Sequence, residues 1–70
     1  MDMIKFKIET EYIELIKLIK ATHISESGAQ AKLFVEDGIV VRNGEVETRK
    51  RAKIRPGDKI EIFDEVIIVE

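Results

Sequence analysis

Arg49, Lys50, Arg51, Lys53 and Arg55 place five cations within seven consecutive residues, with no acid among them. Groups of this type at this density hold anions. Arginine stays charged at any physiological pH and presents a planar fork of N–H donors that matches a phosphate, while lysine adds a compact point charge. The whole chain has net charge -2, so with these five set apart the remainder stands at -7. The positive charge is therefore gathered in one place, where it makes a local field that evenly mixed surface charge would not.

Little else in the chain could do chemistry. Cysteine is absent and His23 is the sole histidine, which removes disulfides, thiolate metal sites and histidine-based metal sites. The acidic residues stand in no constellation with a nucleophile, a ligand set or a phosphate loop, so the chain reads as a non-enzyme without cofactor or metal. No stretch approaches the roughly 18 uncharged apolar residues of a membrane span. The first residues, Met1-Asp2-Met3-Ile4-Lys5-Phe6-Lys7, carry no signal-peptide core, which points to the cytoplasm. Seventy residues, 44% of them hydrophobic, imply one globular domain over 1–70 with a thin core that buries about 60% of the unfolded surface.

The elements that must position the basic run can be read from local patterns. Ile4, Phe6 and Ile8 alternate with Lys5, Lys7 and Glu9, a half-buried strand. Thr10 stands as an N-cap and Glu11 at the positive end of a helix dipole, predicting a first helix from Glu11 to about Ala21. Tyr12, Leu15, Ile16 and Ile19 form its apolar stripe, widened by Ile13 and Leu18. Thr22-His23-Ile24-Ser25 links it to a second helix from about Glu26 to Asp37, closed by Gly38. Ser25 and Ser27 compete as its cap, and Ser27 with Gln30 has capping-box spacing. Ala31, Phe34 and Val35 face its core. The Ser25-Glu26-Ser27-Gly28 start could hold a phosphate on free amides, but on chemistry alone it reads as an ordinary capped start.

Asn43-Gly44 between Val40-Val41 and Val46 is a two-residue hairpin signal, since a type I′ turn needs positive φ at both central residues. Ile54 anchors the far end of the basic run. Pro56-Gly57 suits a type II turn, Ile60 and Ile62 alternate on the next strand, and Asp64-Glu65 reverses it into Val66-Ile67-Ile68-Val69. The expected class is α+β: two packed helices against a small antiparallel sheet.

In this order and spacing, Glu26-Ser27-Gly28-Ala29-Gln30-Ala31-Lys32, Gly38, Asn43-Gly44, Val46-Glu47-Thr48-Arg49-Lys50-Arg51, Lys53-Ile54 and Gly57-Asp58 resemble the RNA-binding domain named after ribosomal protein S-four. The resemblance runs from Phe6 to Ile62 and is greatest to the small stand-alone bacterial branch, the YbcJ-like proteins. It implies the αL motif, and binding of structured RNA, chiefly ribosomal or transfer RNA, through the second helix and the connection after the hairpin. Carried over, the RNA-binding positions are Ser27, Gly28, Gln30 and Lys32, then Thr48, Arg49, Lys50, Arg51 and Lys53. Many members have Val before Asn-Gly where this chain has Arg42, whose stem is expected to cover the core edge while its head stays wet. Whether Arg42 or Arg55 joins the basic face is left open.

The resemblance thus implies a monomeric cytoplasmic protein for structured RNA, ribosomal RNA first, associated with ribosomes or their assembly. With few aromatics to stack on, it should read the shape and backbone of RNA. The alternative is a protein-interaction module that docks the basic run on an acidic partner. A ubiquitin-like sulfur carrier is set aside because such chains end in Gly-Gly, whereas this sequence ends Ile67-Ile68-Val69-Glu70.

Overall fold

In the computed structural model, alternation at the start of the chain becomes strand β1, Asp2–Phe6, with Ile4 and Phe6 half-buried and Lys5 in water. The structure describes residues 2–70. Met1, the first residue of the stretch read for an export signal, lies outside them. Along the chain follow β2 (Ile13–Glu14), α1 (Leu15–Ala21), α2 (Gly28–Glu36), β3 (Val41–Arg42) and β4 (Glu45–Val46). Then come β5 (Lys53–Ile54), β6 (Lys59–Ile62) and β7 (Glu65–Val69).

The main sheet has the order β1-β7-β6-β3-β4. Its pairings are antiparallel except that β1 joins β7 in parallel, Met3 beside Val66 and Lys5 beside Ile68. A separate antiparallel pair links β2 to β5, with Ile13 opposite Ile54 and Glu14 opposite Lys53. The helices pack on each other, and the core lies between them and the sheet. Leu15, Leu18 and Ile19 of α1 and Ala31 and Val35 of α2 are buried against Val40, Ile54, Ile60, Ile62, Ile67 and Val69. Each full burial of a Leu or Ile contributes about 1.5–3 kcal/mol, so aliphatics alone carry this thin core. The expected α+β arrangement of two helices on a small, mostly antiparallel sheet is what the structure has.

Four local expectations need correction. The first helix begins at Leu15, not Glu11, and its N-cap is Glu14, which makes no side-chain capping bond. Thr10 instead donates from Oγ1 to the Tyr12 carbonyl at 2.9 Å. Residues 13 and 14 are extended because Ile54 and Lys53, far along the chain, supply them with a strand partner. Tyr12 is accordingly exposed rather than part of a helical core stripe. Second, α2 covers Gly28–Glu36, with Ser27 as N-cap and Asp37 as C-cap.

Third, Phe34 is only half-buried. Its ring sits at the core margin, edge-on to Phe63 at 5.0 Å, and Phe63 is itself largely exposed. Fourth, the β6–β7 reversal turns on Phe63 and Asp64, one residue earlier than expected, with Phe63 at φ 54°. The hairpin agrees with its reading: Asn43 and Gly44 have φ of 50° and 89°, the left-handed values a two-residue I′ turn demands.

Candidate nucleic-acid interface

The basic run leaves the hairpin as residues 47–55, and its backbone is held on both sides. The Glu47 amide donates to the Val40 carbonyl at 2.9 Å. The Leu15 and Ile16 amides, unpaired within the first turn of α1, donate to the carbonyls of Ala52 (2.9 Å) and Lys50 (3.2 Å). Ala52 and Ile54 insert into the core, while Arg49, Arg51, Lys53 and Arg55 point outward between and beside them. The run is thus a ribbon with an apolar underside, turned at Lys50-Arg51 where the Ala52 amide donates to the Arg49 carbonyl at 3.1 Å, and ending in strand β5. Ile54 was legible as its anchor. Ala52 was not, because a lone alanine among cations gives little hydrophobic signal.

A polar cluster under the hairpin fixes the course of this ribbon. The Arg42 guanidinium donates to Glu47 Oε1 (3.3 Å), Asp58 Oδ2 (2.9 Å) and the Lys53 carbonyl (2.9 Å). Asp58 also accepts from Asn43 Nδ2 at 2.9 Å and from the Arg55 amide at 2.8 Å. Asn43 Oδ1 accepts from the Lys59 amide at 2.8 Å, so the turn residue ties the hairpin to β6 as well. The expectation that the Arg42 head stays wet is therefore overturned. Its fork has three acceptors around it, and it braces the interface from behind instead of extending it.

Glu47 is the second member of this cluster that local reading missed. It is buried, yet its carboxylate accepts Arg49 Nε (3.1 Å), Arg49 Nη2 (3.2 Å) and the Arg49 amide (3.1 Å) in addition to Arg42. The Arg49 side chain, helped by its amide and by Arg42, outweighs the penalty of burial and holds Glu47 at a pKa of about 2. Burial pushes Asp58 up, but the Arg55 amide, Asn43 and Arg42 together bring it below the ordinary range. A signal for Glu47 existed in the sequence: an acid placed between a hairpin and a basic run, two residues before an arginine.

Carboxylates also hold two more of the cations. Arg51 Nε meets Glu14 Oε2 at 3.0 Å, and Lys50 Nζ stands 4.0 Å from Glu36 at the end of α2. Glu14 is drawn below its usual pKa by Arg51 foremost, and by Lys17, whose Nζ lies at 3.5 Å. Among the described residues Lys53 and Arg55 make no ion pair. Both stand over the Tyr12 ring, Lys53 Nζ at 5.1 Å and Arg55 Cζ at 6.0 Å from its centroid. Exposed pairs such as Arg51–Glu14 contribute little to stability and exchange readily with other anions.

The residues singled out on α2 divide. Glu36 brings the far end of the helix to Lys50, and Lys32, one turn earlier, shares its face. Ser27, Gly28 and Gln30 lie toward the opposite end, roughly 9–13 Å from Glu36 along the axis. Their polar groups are engaged locally: Ser27 Oγ accepts the Gln30 amide at 3.1 Å, and Gln30 Oε1 accepts the Glu26 amide at 2.7 Å. This resembles a capping box with the return bond shifted by one residue. Ser25, the competing cap, is buried and donates to the Ser27 carbonyl. Thr48 is exposed beside Arg49. No group of three His, Asp or Glu able to hold a metal ion occurs among the described residues, and no helix is long and apolar enough to cross a membrane.

Comparison with known proteins agrees with this geometry. Residues 6–70 match the model of the S4 domain. The chain belongs to that family. It is 49% identical over 49 residues, 70% of each chain, to the putative RNA-binding protein YbcJ of Escherichia coli. It is 36% identical over 55 residues to the probable ribosome maturation protein RlbA of Bacillus subtilis, covering 79% of this chain and 78% of that one. The solution structure of Escherichia coli YbcJ, described as having an αL motif involved in RNA binding, superposes with a TM-score of 0.75 at 38% identity. That match covers 99% of this chain and 89% of the other. As an S4 domain the chain keeps the αL arrangement, two helices with a basic ribbon crossing beside them.

Proposed function

We propose that this chain is a monomeric single-domain RNA-binding protein, residues 1–70, that takes structured RNA. Ribosomal RNA is the first candidate, in ribosome association or assembly. The observation that carries this reading is the ribbon at 47–55: cations facing outward on a backbone pinned from below by Ala52, Ile54 and the Arg42 cluster. A preorganised row of exposed guanidinium and ammonium groups binds phosphates at low ordering cost. Arg49, Lys50, Arg51 and Lys53 carry the affinity, and Lys32 extends the surface along α2. Thr48 adds a hydroxyl at its edge, while Ser27, Gly28 and Gln30 act mainly by setting the start of α2. The names of the Escherichia coli and Bacillus subtilis relatives, which speak of RNA binding and ribosome maturation, support the same direction.

A second reading keeps one observation of its own. Glu14, Glu36 and Glu47 already satisfy three of the cations, so carboxylates of an acidic protein partner could do likewise.

A salt titration of binding to ribosomal RNA fragments separates the two readings. If four or five cations each neutralise a phosphate, log affinity falls with log salt at a slope of roughly -3 to -4.5. Because Arg49 holds buried Glu47, the variant that tests the surface replaces Lys50, Arg51 and Lys53 with alanine. It should flatten the slope by about 2–3 units with the fold intact by circular dichroism. Equal slopes would remove the ribbon from the interface. Absence of RNA binding by the wild type at low salt would leave the acidic-partner reading in its place.

A further inference from the structure

Tyr12 is the one tyrosine of a chain without tryptophan, and the fold delivers it to the basic ribbon. It leaves the bend after β1 immediately before β2, is exposed, and lies under Lys53 and Arg55. On the side of Thr10, Glu11, Ile13, Glu14, Lys17 and Arg51 it also forms a wall of an open surface cavity of about 610 Å³, large enough for a nucleoside. The cavity combines what an unpaired nucleotide needs: an aromatic face, an aliphatic neighbour in Ile13, and two cations at the rim. Those cations, Lys17 and Arg51, both pair with Glu14, and Glu11 adds a second carboxylate to the lining, so a phosphate is taken by exchange for Glu14 at the exposed cation heads. A duplex cannot use an aromatic wall, because its bases are stacked inside. A bulged or looped base can.

We propose that Tyr12 is a stacking platform for one unpaired base of the bound RNA, with Arg51 and Lys17 taking the flanking phosphates. This rests on the RNA-binding reading above and narrows it, from structured RNA in general to RNA that offers an extruded base beside a helix. The cations over the ring hold it in place and, as guanidinium and ammonium groups beside a π face, strengthen an aromatic sandwich. Few aromatics in the composition suggested recognition by backbone and shape alone. A single ring suffices when the fold sets it among phosphate-binding groups.

The test uses the intact chain and two RNA hairpins that differ only in one bulged adenine. Tyrosine emission reports this ring alone. It should be quenched by the bulged hairpin and not by the fully paired one, after correction for absorption by the RNA. Wild type should prefer the bulged hairpin by about tenfold or more, the range expected for one stacked base. Tyr12→Phe should keep that preference. Tyr12→Ala should bind both hairpins equally and with the wild-type salt slope, since no charge is lost. Unchanged emission, or an undiminished preference in Tyr12→Ala, overturns the stacking role while leaving the phosphate-binding ribbon standing. Loss of affinity for both hairpins in a folded Tyr12→Ala also overturns it, because the ring would then only be bracing the ribbon. If Tyr12→Ala does not fold, wild-type emission decides. Failure of the wild type to bind either RNA at low salt removes this proposal together with the reading it rests on.

Discussion

The start of α2 and the ribbon at 47–55 are both polar stretches of the candidate interface, but their side chains face opposite duties. At the helix start, Ser27 and Gln30 satisfy the backbone amides of Gln30 and Glu26, and Ser25 turns inward to a carbonyl. These bonds engage the side-chain oxygens of Ser27 and Gln30 within the fold. In the ribbon, by contrast, Arg49 and Arg51 are paired through exposed side chains, with 72% and 74% of their surface open to water. The Glu14 partner of Arg51 can be exchanged for a phosphate without disturbing the ribbon, whereas Arg49 also holds buried Glu47 and reaches a ligand only with its open face. Satisfied polarity inside the fold makes structure, while satisfied polarity at the surface makes a site held in readiness. Arg42 shows that residue type does not decide which: it is as cationic as Arg49, yet its fork is turned inward.

The contrast breaks most severely at Arg42. Arg42→Ala should cost roughly 2–4 kcal/mol, because Glu47 and Asp58 would remain partly buried with one fewer donor each. For a domain whose whole stability is of order 5–15 kcal/mol this is a large share. Arg42→Lys should recover only part of it, since an ammonium cannot reach Glu47, Asp58 and the Lys53 carbonyl from one planar fork. Urea denaturation measures both. A loss well under 1 kcal/mol for the alanine variant would show that the cluster does not brace the ribbon.

A smaller effect should appear on acidification. Glu47 has its pKa depressed from the usual 4.5 to about 2 by Arg49 foremost. A carboxylate depressed by folding adds stability that is complete above pH 4.5 and disappears as the pH falls toward 2, because the unfolded chain takes up the proton first. The contribution is roughly 1–3 kcal/mol, reduced by screening at the exposed Arg49. Stability measured across that window should fall more steeply in wild type than in Glu47→Gln. Parallel curves would mean that Glu47 is not held ionised by its neighbours.

The smallest effect is expected at the helix start. Ser27→Ala should lower stability by about 1 kcal/mol, the usual cost of losing an N-cap. Affinity for RNA should change less than twofold, and the salt slope should not move. A folded Ser27→Ala that binds RNA tenfold more weakly would put the start of α2 back into direct contact with the ligand.

What could be read in advance was what depends on near neighbours. Asn43-Gly44 specifies its turn by itself, because two consecutive left-handed residues suit few other sequences. Ser27 with Gln30, Gly38 and Gly57 are legible for similar reasons of local geometry. The start of α1 was not legible. Thr10 and Glu11 imitate a cap, and only the pairing of Ile13 and Glu14 with Ile54 and Lys53 pulls those residues out of a helix. The same distance in sequence hid the electrostatics. The basic run is obvious as composition, but its carboxylate partners come from β2, α2 and the hairpin exit, and no local pattern joins Arg51 to Glu14 or Lys50 to Glu36. Tyr12 was misassigned to a core stripe because its helical spacing to Leu15, Ile16 and Ile19 is real while the helix beneath it is not.

The parallel pairing of β1 with β7 also bears on how this fold can form. β7 is last in sequence among the described elements yet lies between β1 and β6, with Val66, Ile67 and Val69 buried. Neither neighbour can complete its ladder until that strand arrives, and β1 must await a partner from the far end of the sequence. Contacts of such long range slow folding, since chain entropy is lost before they form. Until β7 docks, β1 has no ladder partner and β6 presents an open edge, the state most exposed to mispairing with another chain. For so small a domain, the vulnerable interval in its life is the wait for one central strand.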